Sequence, residues 1–348
     1  MRWFTDDLPG TGGLLKSEPA DFVVEELPAY PPSGQGDHLF LTIEKTGLST
    51  PEAVRRVARA LGIDPDDVGV AGLKDRQAVT RQTISVPATD PVQAVNLELE
   101  GIRVLSGARH FHKLRTGHLR GNRFTITLRG VVADAEARAR EILARLITTW
   151  LPNRFGAQRF GRRGDNPVEG KAVLLGGRDE PDRQRRRFLI SAYQSALFNR
   201  YLEWRIGEGL LHRVMVGDVM QRVDSGGLFT CDPTDLLYNQ ARLEMRHIVS
   251  TGPMFGWKMF ATTPGSPAAA VEQRLLDEEG FDLEIFRPLG KLALGARRPL
   301  LVRLEGAYAR QNGDSLVVGF SLPAGAYATV LLEEVMKPGE SILHPADG

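Results

Sequence analysis

Apolar and polar residues along this chain change period several times, and the changes outline its elements. Phe22, Val23 and Val24 predict a short strand with a charged exit at Glu25 and Glu26. Residues 31–37, rich in Pro, Gly and Ser, predict a loop. His38-Leu-Phe-Leu-Thr-Ile-Glu-Lys45 predicts a clear strand. Ser49-Thr-Pro-Glu52 then predicts a helix start, with Ser49 as cap, Pro51 in the first turn and Glu52 completing a capping box. Val54, Val57, Ala58 and Leu61 share one face of that helix, which ends near Gly62. Val68 to Val86 reads as strand, loop and strand. Ile102–Leu105 and Phe124–Leu128 predict further strands, and Asp134 to Trp150 an amphipathic helix.

The second half reads differently. After Asp182, the residues Phe188, Leu189, Ala192, Tyr193, Ala196, Leu197, Tyr201 and Trp204 recur at helical spacing, predicting a long helix whose aromatics are core. Residues 212–257 predict short strands and turns, with 252–256 as a loop. Residues 267–280 predict a helix, 299–304 and 315–322 strands, and 323–329 a tight turn into a short helix at 330–336. Strands and helices mix without regular βαβ alternation, which predicts an α+β fold with a mostly antiparallel sheet. A strand-rich beginning and end around a helical middle predicts one domain with an inserted module. At 348 residues the chain has room for that.

Composition narrows the function classes. Hydrophobic content of 42% and charged content of 25% are ordinary for a globular protein. There is no run of eighteen apolar residues, so no transmembrane helix is expected, and the first residues lack the apolar core of a secretory signal. The only cysteine, Cys231, leaves no internal disulfide and fits a reducing compartment. No Gly-x-x-x-x-Gly-Lys-Ser/Thr loop appears, so no nucleotide cofactor is expected. His110 and His112 could share a metal, but no third ligand has suitable spacing, so no metal site is expected.

The formal net charge of +1 conceals an asymmetry. Residues 1–102 carry −7, residues 103–187 carry +12, and residues 188–348 carry −4. Gly101 to Gly130 contains no acid at all but seven arginines and lysines, including Arg115 and Arg120. A contiguous basic block is the footprint of a polyanion, although such a run also serves as a solvated face. Arg154-Phe-Gly-Ala-Gln-Arg-Phe-Gly-Arg-Arg163 interleaves Arg159 and Arg162 with aromatics in a pattern able to clamp RNA.

The segment Ala71-Gly-Leu-Lys-Asp-Arg-Gln-Ala-Val-Thr-Arg-Gln82 concentrates the candidate chemistry. Asp75 stands between Lys74 and Arg76 in a loop between two strands. Adjacent positive charge keeps a carboxylate ionised, so Asp75 is available as nucleophile or base, and the two cations would attract a phosphate backbone. On the residues alone a plain surface turn remains open. So do core roles for Phe22 and Tyr327, and a turn role for Asn122.

This segment resembles the signature loop of the TruD family of pseudouridine synthases, which modify uridine 13 of certain tRNAs. Further blocks resemble the family in order along the chain: Lys16-Ser-Glu-Pro-Ala-Asp-Phe-Val-Val-Glu25, Gly117-His-Leu-Arg-Gly-Asn-Arg-Phe124, Pro152 to Gly161, Ser191 to Asn199, and Leu322-Pro-Ala-Gly-Ala-Tyr-Ala-Thr329. The resemblance implies a split pseudouridine synthase domain at 1–153 and 305–348 with an inserted family-specific α/β module at 154–304. It implies Asp75 as nucleophile on a flipped-out uridine. It places Phe22, Asn122, Phe124, Tyr327 and Lys16 at the substrate; Tyr327 stands where the family often has Phe. Lys74, Arg76, Arg115, Arg120, Arg159 and Arg162 are the expected contacts to the RNA backbone. The expectation is a cytoplasmic monomer acting on tRNA without cofactor. The competing readings are a tRNA-binding chaperone without chemistry, and a synthase for another RNA site.

Overall fold

Leu39, Leu41 and Ile43 alternate with Phe40 and Thr42, and alternation of this kind turns one side of a strand onto a core. In the computed structural model, which describes residues 3–87, 89–161 and 163–337, that strand lies in a large mixed sheet. The chain divides into two compact units: one runs to Trp150 and resumes at Arg303, and the other is Leu151–Val302.

In chain order the first unit supplies β1 (Gly12–Leu14), β2 (Phe22–Pro28), β3 (His38–Thr46), α1 (Thr50–Leu61), β4 (Gly69–Val70), β5 (Val79–Pro87), α2 (Pro91–Val95), β6 (Glu98–Leu99), β7 (Ile102–His110), β8 (Leu119–Val131) and α3 (Ala135–Thr149). The second unit holds β9 (Leu151–Pro152), α4 (Asn166–Leu174), α5 (Arg183–Gly207), β10 (Val219–Arg222), β11 (Leu228–Thr230), α6 (Leu236–Glu244), β12 (Ile248–Met254), α7 (Pro267–Glu279), β13 (Ala296–Pro299) and β14 (Leu301–Val302). The chain then returns to the first unit with β15 (Glu305–Asn312), β16 (Ser315–Pro323) and α8 (Ala328–Met336).

The first unit's sheet runs β15-β16-β8-β2-β5-β3-β7-β6, with β1 added beside β8 and β4 beside β5. Its pairings are antiparallel except β2 with β5. The α+β expectation is therefore borne out. One half of the sheet's inner face buries Leu39, Leu41, Ile43, Ile84 and Val86 against Ala53, Val57 and Ala58 of α1. The other half carries Ile126, Leu128, Leu316, Val318 and Phe320, all buried. α3 packs on β15 and α8, and turns Ile142, Leu143 and Leu146 inward. Each fully buried leucine or isoleucine contributes about 1.5–3 kcal/mol, so both halves are firmly set.

The second unit is built on α5. Asp182 caps it, its carboxylate accepting from the Gln184 and Arg185 N–H groups. Of the expected aromatics, Tyr193 and Tyr201 are buried and Trp204 is half-buried, whereas Phe188 is exposed; Phe198 joins the core as well. Two ion pairs, Arg205–Asp218 and Arg297–Glu272, lie inside this unit.

Several expectations need correction. The stretch 212–257 includes a helix, α6, and residues 252–254 belong to β12 instead of a loop. Strand β15 and helix α4 were not anticipated. In β15 every other residue is solvent-facing at the sheet edge, so its apolar signal is weak. The capping box at α1 is half present. Ser49 accepts from the Glu52 N–H at 3.4 Å, but the Glu52 carboxylate turns to Arg56, 3.1 Å away.

Candidate active site

The two apolar halves of the sheet leave a polar strip between them. Directly opposed residues in a sheet share a face. Glu26 opposes Asn122, and Val24 opposes both Phe124 and Thr80. Thr80 opposes Lys45, and Gln82 opposes Ile43. Glu26, Lys45, Thr80 and Gln82 are all buried on this face. Buried polar groups need partners, and Glu26, Lys45 and Gln82 use theirs to hold one loop.

That loop is 71–78, between β4 and β5. Its approach is set by close packing. Gly69 has the Leu114 carbonyl where a Cβ would stand, so no larger residue fits without a shift. The Gly117 N–H donates to the Ala71 carbonyl at 2.8 Å. The Lys74 N–H donates to Thr50 Oγ1 at 2.9 Å, and Thr50 Oγ1 in turn donates to Gln82 Oε1 at 2.9 Å. Lys45 Nζ donates to the Asp75 carbonyl oxygen at 2.9 Å. Arg76 Nε donates to the Gly47 carbonyl at 3.0 Å.

Asp75 stands at the tip of this loop, its side chain about one-third exposed. Its ion-pair partner is Lys16, with Nζ 3.2 Å from Oδ2. Lys16 also lies over the Phe22 ring, 4.4 Å from the centroid. The Lys16 backbone is left-handed, with φ 60°. A non-glycine residue there costs on the order of 1 kcal/mol and persists where its surroundings hold it. Lys16, Asp75 and Phe22 therefore form one cluster, assembled from residues far apart in the chain.

The remaining expected residues fall into distinct positions. Phe124 meets Phe22 edge-to-face at 6.4 Å and stacks on Phe320 at 5.1 Å. It is buried, as Phe22 is, so both rings lie in the packed layer of this face. Asn122 lies on the same face of β8, and its Oδ1 is buried with no hydrogen-bond partner. Its strand approaches β16 closely: Gly121 has the Leu322 carbonyl where a Cβ would stand. Tyr327 is half-buried at the start of α8, just past the turn whose Ala324 N–H donates to the Arg120 carbonyl.

The basic residues separate too. Arg76, Arg115 and Arg120 are exposed. Lys74 is not: its side chain is 6% exposed and pairs with Glu26 at 2.8 Å, so the cation expected on phosphate is turned inward. Arg159, in the second unit, is held by Ser191 and Ser195 and packs near the Phe155 and Phe188 rings. Arg162 lies outside the described residues.

The sequence reading missed Lys45, Glu26, Thr50 and Gln82. One signal was present. Lys45 follows Leu39, Leu41 and Ile43 in the inward register of β3, where a lysine has no ordinary reason to stand. Burial lowers the Lys45 pKa to about 8, against the raising effect of the Asp75 charge and with a further lowering by Lys74.

Comparison with known proteins fits this geometry. The family model for tRNA pseudouridine synthase D (TruD) matches residues 1–181 and 179–335. A protein of that name from an Anaeromyxobacter species is 46% identical over 344 residues, covering 97% of this chain and 96% of the relative. The Thermus thermophilus protein is 42% identical, covering 96% and 92% respectively. The Geobacter sulfurreducens protein is 39% identical, covering 97% of each. A crystal structure described as this synthase from Methanosarcina mazei is 24% identical, with a TM-score of 0.76 over 95% of each chain, and shows the same fold. Fold and full-length similarity define the class as an enzyme that makes pseudouridine. The chain belongs to the tRNA pseudouridine synthase D family.

Among the described residues no helix is long and apolar enough to cross a membrane. Nor does any group of three or more His, Cys, Asp or Glu side chains there form a candidate metal site.

Proposed function

We propose that the chain isomerises uridine to pseudouridine at position 13 of tRNA, with Asp75 initiating cleavage of the glycosidic bond of a flipped-out uridine. The supporting observation is the Lys16–Asp75–Phe22 cluster, a single carboxylate presented on a tethered loop over a polar strip. The ion pair with Lys16 aims that carboxylate, which suits attack at the ribose or removal of a ribose proton. Extruding the base gives the loop access to atoms hidden in the stack. Phe22 forms the apolar floor under Lys16. The unsatisfied Asn122 Oδ1 is an acceptor suited to a base N–H, and Tyr327, at the start of α8, is the candidate second ring.

Exposed Arg76, Arg115 and Arg120 are the phosphate contacts in this reading, with Lys74 left out. The unit formed by the two ends of the chain carries the chemistry, and Leu151–Val302 is the inserted module. The protein works as a cytoplasmic monomer.

The test is an unmodified tRNA transcript with uridine at position 13, incubated with the protein and mapped by carbodiimide-blocked primer extension. The expected result is a stop at that position, lost with Asp75→Asn while tRNA affinity is kept. Turnover by Asp75→Asn would remove Asp75 from this role. A stop elsewhere would reassign the RNA site, and tight binding without product on any tRNA would favour the chaperone reading.

A further inference from the structure

Lys45 reaches the Asp75 main chain from β3, and it is fully buried. Its ammonium donates to two carbonyls, that of Leu48 at 2.5 Å and that of Asp75 at 2.9 Å. Leu48 belongs to the turn that leads into α1, so one side chain ties the catalytic loop to the helix start. We propose that Lys45 is a positioning residue for the reaction: it fixes the Asp75 main chain, and so the direction in which the carboxylate meets the substrate. The inference rests on the reading of Asp75 above.

Three features support it. First, Lys45 grips the backbone of Asp75 itself, whereas the bonds from Gly117, to Thr50 and to Gly47 hold Ala71, Lys74 and Arg76. Second, among the described residues the ammonium meets no carboxylate within hydrogen-bond range, and the Asp75 carboxylate turns to Lys16. A buried cation bonded to neutral carbonyls is an expensive way to hold a fold, since its lost hydration is not offset by a hydrogen-bonded ion pair. An apolar residue in this register would serve the core of Ile43, Val57 and Ala58 better. Third, Lys45 opposes Thr80, whose hydroxyl oxygen is buried without a partner, so the strip carries polar groups beyond what packing uses.

The same geometry gives a pH dependence. The charged groups around Lys45 are Asp75 and Lys74 on the loop, with Lys16 beyond the one and Glu26 beyond the other. Its strand neighbours Thr80 and Ile102 and the inward residues Ala53, Val57 and Ala58 of α1 do not titrate. With the Lys45 pKa lowered to about 8, the proton is held at neutral pH and lost above it. A neutral amine donates about half as strongly as an ammonium, so the loop loosens as pH rises.

The experiment compares wild type, Lys45→Met and Lys45→Arg under single-turnover and steady-state conditions between pH 6.5 and about 9. Wild-type kcat is expected to fall above about pH 8 while KM for tRNA holds. Lys45→Met should lose about tenfold or more in kcat at neutral pH, keep KM and tRNA affinity within about twofold, and show no fall in that window. Lys45→Arg, a cation that does not titrate there, should restore rate and flatten the profile. A Lys45→Met rate within twofold of wild type overturns the proposal, as does a loss confined to KM. If Lys45→Met does not fold, the arginine variant decides: a fall in its rate identical to wild type overturns the proposal. Activity in Asp75→Asn would instead sink the reading of Asp75. An inactive Asp75→Asn beside a fully active Lys45→Met would sink only this inference.

Discussion

Replacing Lys74 by alanine separates an RNA-facing lysine from a structural one. Lys74 and Glu26 are 2.8 Å apart, with side chains 6% and 2% exposed. Removing the lysine strands a buried carboxylate, and breaking a pair of this kind typically costs about 3–5 kcal/mol. Urea unfolding of Lys74→Ala at pH 7 measures that loss. Adding Glu26→Gln should recover most of the loss, because the amide oxygen can still accept from the Thr83 N–H, now bonded to Glu26 at 3.3 Å. Filter binding to tRNA across salt concentrations is the second assay. Loss of a phosphate contact lowers the salt slope by about one. Lys74→Ala should leave the slope unchanged, whereas Arg120→Ala should lower it without loss of stability. If Lys74→Ala unfolds within about 0.5 kcal/mol of wild type yet lowers the slope, the inward assignment of Lys74 is refuted.

Two further outcomes can be checked directly. Asn122→Ala should leave thermal stability within about 0.5 kcal/mol of wild type, because its Oδ1 has no partner to lose, while kcat/KM falls at least about tenfold; a stability loss with intact kinetics would refute its role at the base. Arg129 holds Asp21 through two bonds of 2.8 and 2.7 Å, and with its hydrogen bond as the leading cause the Asp21 pKa is lowered on folding. A carboxyl lowered on folding contributes stability above its unfolded value and loses it as pH falls through the folded one. The gap between wild type and Asp21→Asn should thus be about 1 kcal/mol at pH 6, kept small by the half-exposed arginine, and should close below about pH 4 in pH-dependent unfolding.

Much of the fold was legible in the residues. Period-two alternation marked β3, the helical period and Ser49 marked α1, and the spacing of Leu189, Tyr193 and Leu197 marked α5. These signals depend on neighbours a few positions apart, which is the range over which backbone geometry repeats. The loop carrying Asp75 and its resemblance to a known signature were legible for the same reason: the motif is contiguous.

What the tertiary structure decided was partnership. The sequence placed Lys74 and Arg76 beside Asp75, yet neighbours along an extended loop point in different directions. The ion-pair partner of Asp75 is Lys16, which arrives from 59 positions away. Lys74 and Lys45 look alike as residue types. One turns to Glu26 and the other to a carbonyl beneath Asp75, because the register between β2, β5, β3 and β8 brings those groups to the same face. Phe22 and Phe124 read alike as aromatic residues, and only the folded chain showed that both are buried and that Phe124 stacks on Phe320. Local sequence determined the elements and singled out the candidate carboxylate. Burial and charge pairing depend on groups brought together by strand register across the sheet, and only the folded chain determined them.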